Sequence, residues 1–157
     1  MEFPKRIYTL EEFAKTRECI NKGYKHRLRT IGRPAFKESV REILTLIRKA
    51  GYYNTLRTYI RYIVEIDGVS QLREAEATIW LNTYMIKDSI EGARFIVQKV
   101  EQMKNYLEGE QYYEKGETSA VEKSVEFLQN LCKKKISEGQ RKKCKEAIKL
   151  WATETIL

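Results

Sequence analysis

Histidine, aspartate, proline and cysteine are all scarce in this 157-residue chain, and each scarcity excludes something. The single histidine, His26, would have to serve as the base for any serine or cysteine nucleophile. No acid stands beside it in KGYKHRLR to orient it, so it is expected on the surface of a basic face. The only aspartates, Asp67 and Asp88, read as a turn residue and a helix cap. Glu122 and Glu126 share a helix face, but no histidine or third acid joins them, and a solvated face is the better reading. The three cysteines, Cys19, Cys132 and Cys144, are odd in number and lack CxxC spacing, which argues against a disulfide scaffold and a zinc site. Buried thiols are expected, with a Cys132–Cys144 bridge between the last two helices as the alternative. GxGxxG, P-loop and GxSxG patterns are absent. No enzymatic activity, cofactor or metal is therefore expected.

Long apolar runs are missing as well: none approaches the roughly 18–20 residues that span a bilayer. The opening MEFPKRIYTLEEF has no secretory apolar stretch. The expectation is no membrane, and a location in the cytoplasm or in an intracellularly assembled nucleoprotein particle.

What the chain has is charge, and it is segregated. Residues 15–33 carry seven cations (Lys15, Arg17, Lys22, Lys25, Arg27, Arg29, Arg33) against Glu18 alone. Residues 132–145 carry another seven (Lys133, Lys134, Lys135, Arg141, Lys142, Lys143, Lys145) against Glu138. Residues 51–109 hold seven basic and eight acidic side chains. Two cationic segments around a neutral middle point to a polyanion, because clustered cations displace the counterions condensed on phosphates. The candidate nucleic-acid-binding residues are Lys22, Lys25, Arg27, Arg29 and Arg33, then Arg57 and Arg61, which fall four apart, then Lys133, Lys134, Lys135, Arg141, Lys142 and Lys143. Arginine suits bidentate phosphate contacts, and Tyr24 interleaves with the first set where it could stack on a base or sugar, although its spacing also suits the core. The competing interpretation of all these charges is a solubilising surface.

Helical periodicity dominates. Thr9 with Glu12 makes a capping box before Leu10, Phe13, Ile20, Tyr24 and Leu28, and Gly32-Arg33-Pro34 breaks that helix. Phe36, Val40, Ile43 and Ile47 stripe the next one, which ends at Gly51. Residues 55–66, TLRTYIRYIVEI, are rich in β-branched and aromatic residues and precede the turn pair Asp67-Gly68, yet Leu56, Tyr59, Ile60 and Ile63 also fit a helical face. With no partner strand evident nearby, helix is the expectation. Ser70 opens a helix to about Ile86, and Asp88 with Glu91 caps a further one ending at Gly109. The stretch GEQYYEKGET reads as a loop; Ser119 restarts a helix, and a last helix carries Cys144, Ile148 and Trp151. The sum is an all-α bundle of about seven helices: a basic N-terminal helix or arm over 1–34, a central four-helix bundle over 35–109, and a helix pair over 118–157 packed on the same core.

Within it, FKESVREILTLIRKAG, YYNTLRTYIRYIVEI and DSIEGARFIVQKVEQMKNYLEG, over about 36–108, resemble the SAM-like core-binding domain of tyrosine recombinases. The matching residues are Gly51 at the end of the first helix, Thr55 with Tyr59 opening the second, and Tyr106-Leu107 closing the fourth. The resemblance implies a four-helix DNA-clamping module. It transfers no catalytic residue, because the Arg, His, Arg and Tyr set of the recombinase catalytic domain has no counterpart after residue 109. An overlapping helix-turn-helix pattern puts Asp67-Gly-Val-Ser before a recognition helix led by Gln71 and Arg73, although Glu74 and Glu76 would repel phosphates there. The expected function is non-enzymatic binding of nucleic acid, DNA before RNA and duplex DNA first, through phosphates. The alternative is a structural or interaction subunit of a nucleoprotein assembly or DNA-packaging coat, self-associating or packed on a partner protein.

Overall fold

The computed structural model describes residues 2–109 and 115–156, and among these a four-stranded sheet joins six helices. In chain order they are α1 (Leu10–Asn21), β1 (Arg29–Ile31), α2 (Pro34–Lys49), α3 (Tyr53–Tyr59), β2 (Tyr62–Ile66), β3 (Gln71–Arg73), β4 (Thr78–Asn82), α4 (Ser89–Leu107), α5 (Lys115–Cys132) and α6 (Glu138–Ile156). The expected all-α bundle of seven helices is thus corrected to a mixed α/β fold. The sheet order is β1-β2-β4-β3, with β1, β2 and β4 parallel and β3 antiparallel to β4.

The segment over 55–66 changes state partway. Leu56 and Tyr59 belong to α3, whose C-cap Ile60 is already extended (φ −120°, ψ 131°), and Tyr62–Ile66 pairs with both β1 and β4. The helix expected from Ser70 to Ile86 is β3, a single 3-10 turn at Glu74–Glu76, and β4. Neither the four-helix core over 36–108 nor a recognition helix at Gln71 and Arg73 is present, because these residues complete a sheet. The first helix also stops early. Gly23 (φ 88°) ends α1, and the backbone from Tyr24 runs on into β1 rather than staying helical to Leu28. Helix α5 begins at Lys115, inside the stretch read as a loop; residues 110–114 of that loop lie outside the described residues.

The helices follow their stripes and caps. Thr9 and Glu12 close a reciprocal capping box, Pro34 opens α2 and Gly51 (φ 74°) ends it. Asp88 accepts from the backbone N–H of Ile90 and Glu91 to start α4. Helix α4 is buried nearly all round, since α1, α2, α3 and β3 pack on it as well as α5 and α6. One core cluster runs from Phe3 and Ile7 through Ile43, Ile63, Ile79 and Ile96 to Leu128 and Cys144. Along β2 and β4, Ile63, Ile79 and Leu81 join it; on the other face Tyr62, Val64 and Trp80 are half-buried outside it and Thr78 is buried, so that face is only partly open.

Gly32 sits where β1 turns into α2 against β2. An added Cβ would lie 2.8 Å from Glu65 Cβ and 2.7 Å from Phe36 Cδ2. Gly32→Val is therefore expected to destabilise the protein by about 1–3 kcal/mol in denaturant unfolding, as overpacking does. Gly68→Val, where only Ile66 Cδ1 comes within 3.9 Å, serves as the permissive control.

Candidate nucleic-acid interface

Between α1 and β1 burial alternates with period two. Tyr24, His26, Leu28 and Thr30 turn inward, while Lys25, Arg27, Arg29 and Ile31 are exposed. The inward side is an aromatic cluster: His26 stands edge-on to Phe3 (4.3 Å between centroids) and to Tyr24 (5.0 Å), and Phe3 stacks on Tyr24. His26 is thus not the surface residue expected from the sequence; it is 2% exposed, and its Nε2 has no hydrogen-bond partner. Burial, then the positive charges of Arg61 and Arg57, depress its pKa to about 4.

That depression couples pH to folding. The folded ring takes its proton near pH 4 while an unfolded histidine takes it near 6.5, so the unfolded chain binds more protons in between. Stability is full above pH 6.5 and falls as pH drops toward 4. Because His26 is the only histidine, the melting temperature should fall between pH 7 and 5 in the wild type and stay nearly flat in His26→Phe. A flat wild-type profile would mean that the ring titrates as freely in the folded chain as in the unfolded one.

The candidate cations divide into two groups. Several have partners within the protein, though the exposed pair of Lys22 with Glu18 contributes little to the fold. Lys22 pairs with Glu18 at 2.9 Å. Arg33 grips Glu65, donating from its backbone N–H and Nε to Oε1 and from Nη2 to Oε2 at 2.7 Å. These bonds, with one from the Thr83 hydroxyl, hold the Glu65 carboxyl down at about 2, the wrong direction for a general acid. Arg57 donates to the His26 carbonyl at 2.9 Å, and Arg61 donates to the Pro4 carbonyl at 2.8 Å with its guanidinium over Phe3. Arg141 donates to the carbonyls of Cys132, Lys134 and Ile136, closing the α5–α6 turn. The others, Lys25, Arg27, Arg29, Lys133, Lys134, Lys135, Lys142 and Lys143, are exposed, and no ion pair engages them among the described residues.

The two cationic segments, far apart in the chain, are both tied to the α2–α3 pair. Arg57 of α3 donates to the carbonyl of residue 26, Lys49 Nζ donates to the Lys135 carbonyl at 2.9 Å, and Asn130 donates to the Ala50 carbonyl. The junction of α2 and α3 therefore links them. It adds two exposed cations that the sequence did not single out, Arg48, stacked 4.1 Å from the Tyr53 ring centre, and Lys49. Their place in the last turn of a striped helix gave no charge-run signal.

The remaining chemistry is spare. Cys19, Cys132 and Cys144 are free thiols; Cys144 donates to the Leu128 carbonyl, and burial, then the neighbouring Cys132, push its thiol up to about 12. Among the described residues no three His, Cys, Asp or Glu side chains gather as a metal site, and no helix is long and apolar enough to cross a membrane. Fold and site together describe a mixed α/β protein with one cationic end and one partly open sheet face. The chain matches no protein-family model, no curated protein and no solved structure.

Proposed function

We propose that this protein binds nucleic acid without transforming it, holding phosphates at the end where Lys25, Arg27, Arg29, Arg48, Lys49 and Lys133–Lys135 converge. The observation that carries the reading is that folding ties two separate basic segments to the one α2–α3 pair, with their cations exposed. A merely solubilising charge has no need of such focusing, whereas a polyanion requires several cations within its reach. Duplex DNA presents the denser array of phosphates, so charge by itself admits duplex and single strand alike. Fluorescence-anisotropy titrations with labelled duplex DNA, single-stranded DNA and RNA test this at about 50 mM salt, where phosphate contacts are strongest. Saturable binding to at least one supports the reading, and no binding to any of them overturns it.

A second reading, a subunit packed against other protein chains, is favoured by one feature at the opposite end of the sheet. Val69 and Tyr84, 79% and 78% exposed, border a shared groove with Met85. Light scattering without nucleic acid separates the readings: self-association lost in Val69→Ser/Tyr84→Ser would support the second.

A further inference from the structure

We propose that the half-open face of the sheet binds unpaired nucleotides, stacking bases on Trp80 and Tyr62 while Arg29 and Arg73 hold phosphates at its two edges. This rests on the nucleic-acid reading above and names the form of polymer it takes. The strand register builds the surface. One row across the sheet is Arg29, Tyr62, Thr78 and Arg73; the next is Ile31, Val64, Trp80 and Gln71. Successive residues of a strand point to opposite faces, so these rows share the face turned away from Ile63, Ile79 and Leu81. Ile31, Tyr62, Val64 and Trp80 stay outside the core cluster; Ile31 is 49% exposed, Tyr62, Val64 and Trp80 are half-buried, and Thr78 between Tyr62 and Arg73 is buried.

Charge selects the occupant. The only charged side chains in the two rows are Arg29 and Arg73, one on each edge strand. A second copy of this chain laid face to face would bring arginines together with no carboxylate in those rows to pair them. An unpaired nucleic-acid strand offers what the face lacks: flat apolar rings for its middle and phosphates for its edges. The Arg73 guanidinium lies over the Trp80 ring, 4.4 Å from its centre, so a base reaches this site by stacking on the guanidinium or by displacing it from the indole. Arg29 is also the last of the alternating cations Lys25, Arg27 and Arg29, so the sheet face opens directly from the cationic end. Duplex DNA keeps its bases stacked inside and cannot use the aromatic rows.

The test uses the full chain with oligothymidylate, oligouridylate and duplex DNA. Only two tryptophans are present, and Trp151 packs on Arg94, so emission that is quenched on binding and unquenched in Trp80→Leu reports this face. Trp80→Leu is expected to weaken single-strand binding about 5- to 100-fold, the range for loss of one base-stacking ring, with duplex affinity within about twofold. Trp80→Phe, which keeps a ring, should retain most of the binding, and Arg73→Ala should lose about 3- to 30-fold on single strands. Quenching by either oligonucleotide supports the proposal, and their ratio assigns the sugar. Unchanged single-strand affinity in Trp80→Leu and Arg73→Ala, with the wild type still binding, overturns stacking and leaves the phosphate reading standing. Absence of any binding by the wild type overturns both. A wild-type dimer that Trp80→Leu converts to monomer would assign the face to self-association and overturn the proposal.

Discussion

Arg94→Leu should cost about 2–4 kcal/mol of folding stability, from the lost hydrogen bonds of a buried charged group whose partner Glu91 stays part-exposed. The Arg94 side chain is 2% exposed, yet it lies between three helices. It donates through Nε to Glu91 at 2.9 Å and through Nη1 to Gln98 at 2.6 Å, both on α4, and reaches Ser124 on α5 at 3.2 Å. Its guanidinium lies 3.6 Å from the ring centre of Trp151 on α6, whose Nε1 donates to the other oxygen of Glu91. Removing the cation strips Gln98 and Ser124 of a buried partner and leaves the Glu91 carboxylate with only the indole. Arg94→Lys should recover little, because an ammonium lacks the planar fork that serves these acceptors and stacks on the indole. Guanidinium unfolding followed by circular dichroism measures the loss. A shift under about 1 kcal/mol would mean that the helices hold together by apolar packing alone.

The triple variant Lys25→Ala/Arg27→Ala/Arg29→Ala should lose about 10²-fold in nucleic-acid affinity at low salt, from three charge-assisted contacts. All three side chains are exposed and unpaired, so melting should be nearly unchanged, which separates lost binding from lost folding. Arg33→Ala behaves in the opposite way. Its guanidinium is committed to Glu65, so the variant should lower stability while leaving affinity close to wild type. Anisotropy titration of the wild type and the two variants on one oligonucleotide checks both halves. Affinity within twofold of wild type in the triple variant would remove this segment from the interface.

The helices were legible because their signals are local. The Phe36–Ile47 stripe, Pro34 and Gly51 bound α2, and Asp88 and Gly109 bound α4 without reference to any other part of the chain. The sheet was not, because its strands are three to five residues long and their partners are remote. Tyr62–Ile66 pairs with residues 29–31 and 78–82, neither adjacent to it in sequence. Ile60 and Ile63 satisfied a helical spacing as well as a strand one, and good helix formers at Glu74–Glu76 masked the strands on either side. The cationic row carried a signal that the helical reading overrode. Lys25, Arg27 and Arg29 alternate with Tyr24, His26 and Leu28, and an alternation of period two belongs to extended chain. The commitment of Arg33, Arg57, Arg61 and Arg141 to internal acceptors depends on tertiary contacts that composition does not record.

The most direct test is the salt dependence of binding in the wild type and the Lys25/Arg27/Arg29 triple variant, plotted as log affinity against log salt. Single strands should give a wild-type slope of about −3, from four or five phosphates neutralised, and the triple variant should be flatter by about 2. Equal slopes in the two proteins, or affinity that does not change with salt, would contradict a cationic end that holds phosphates.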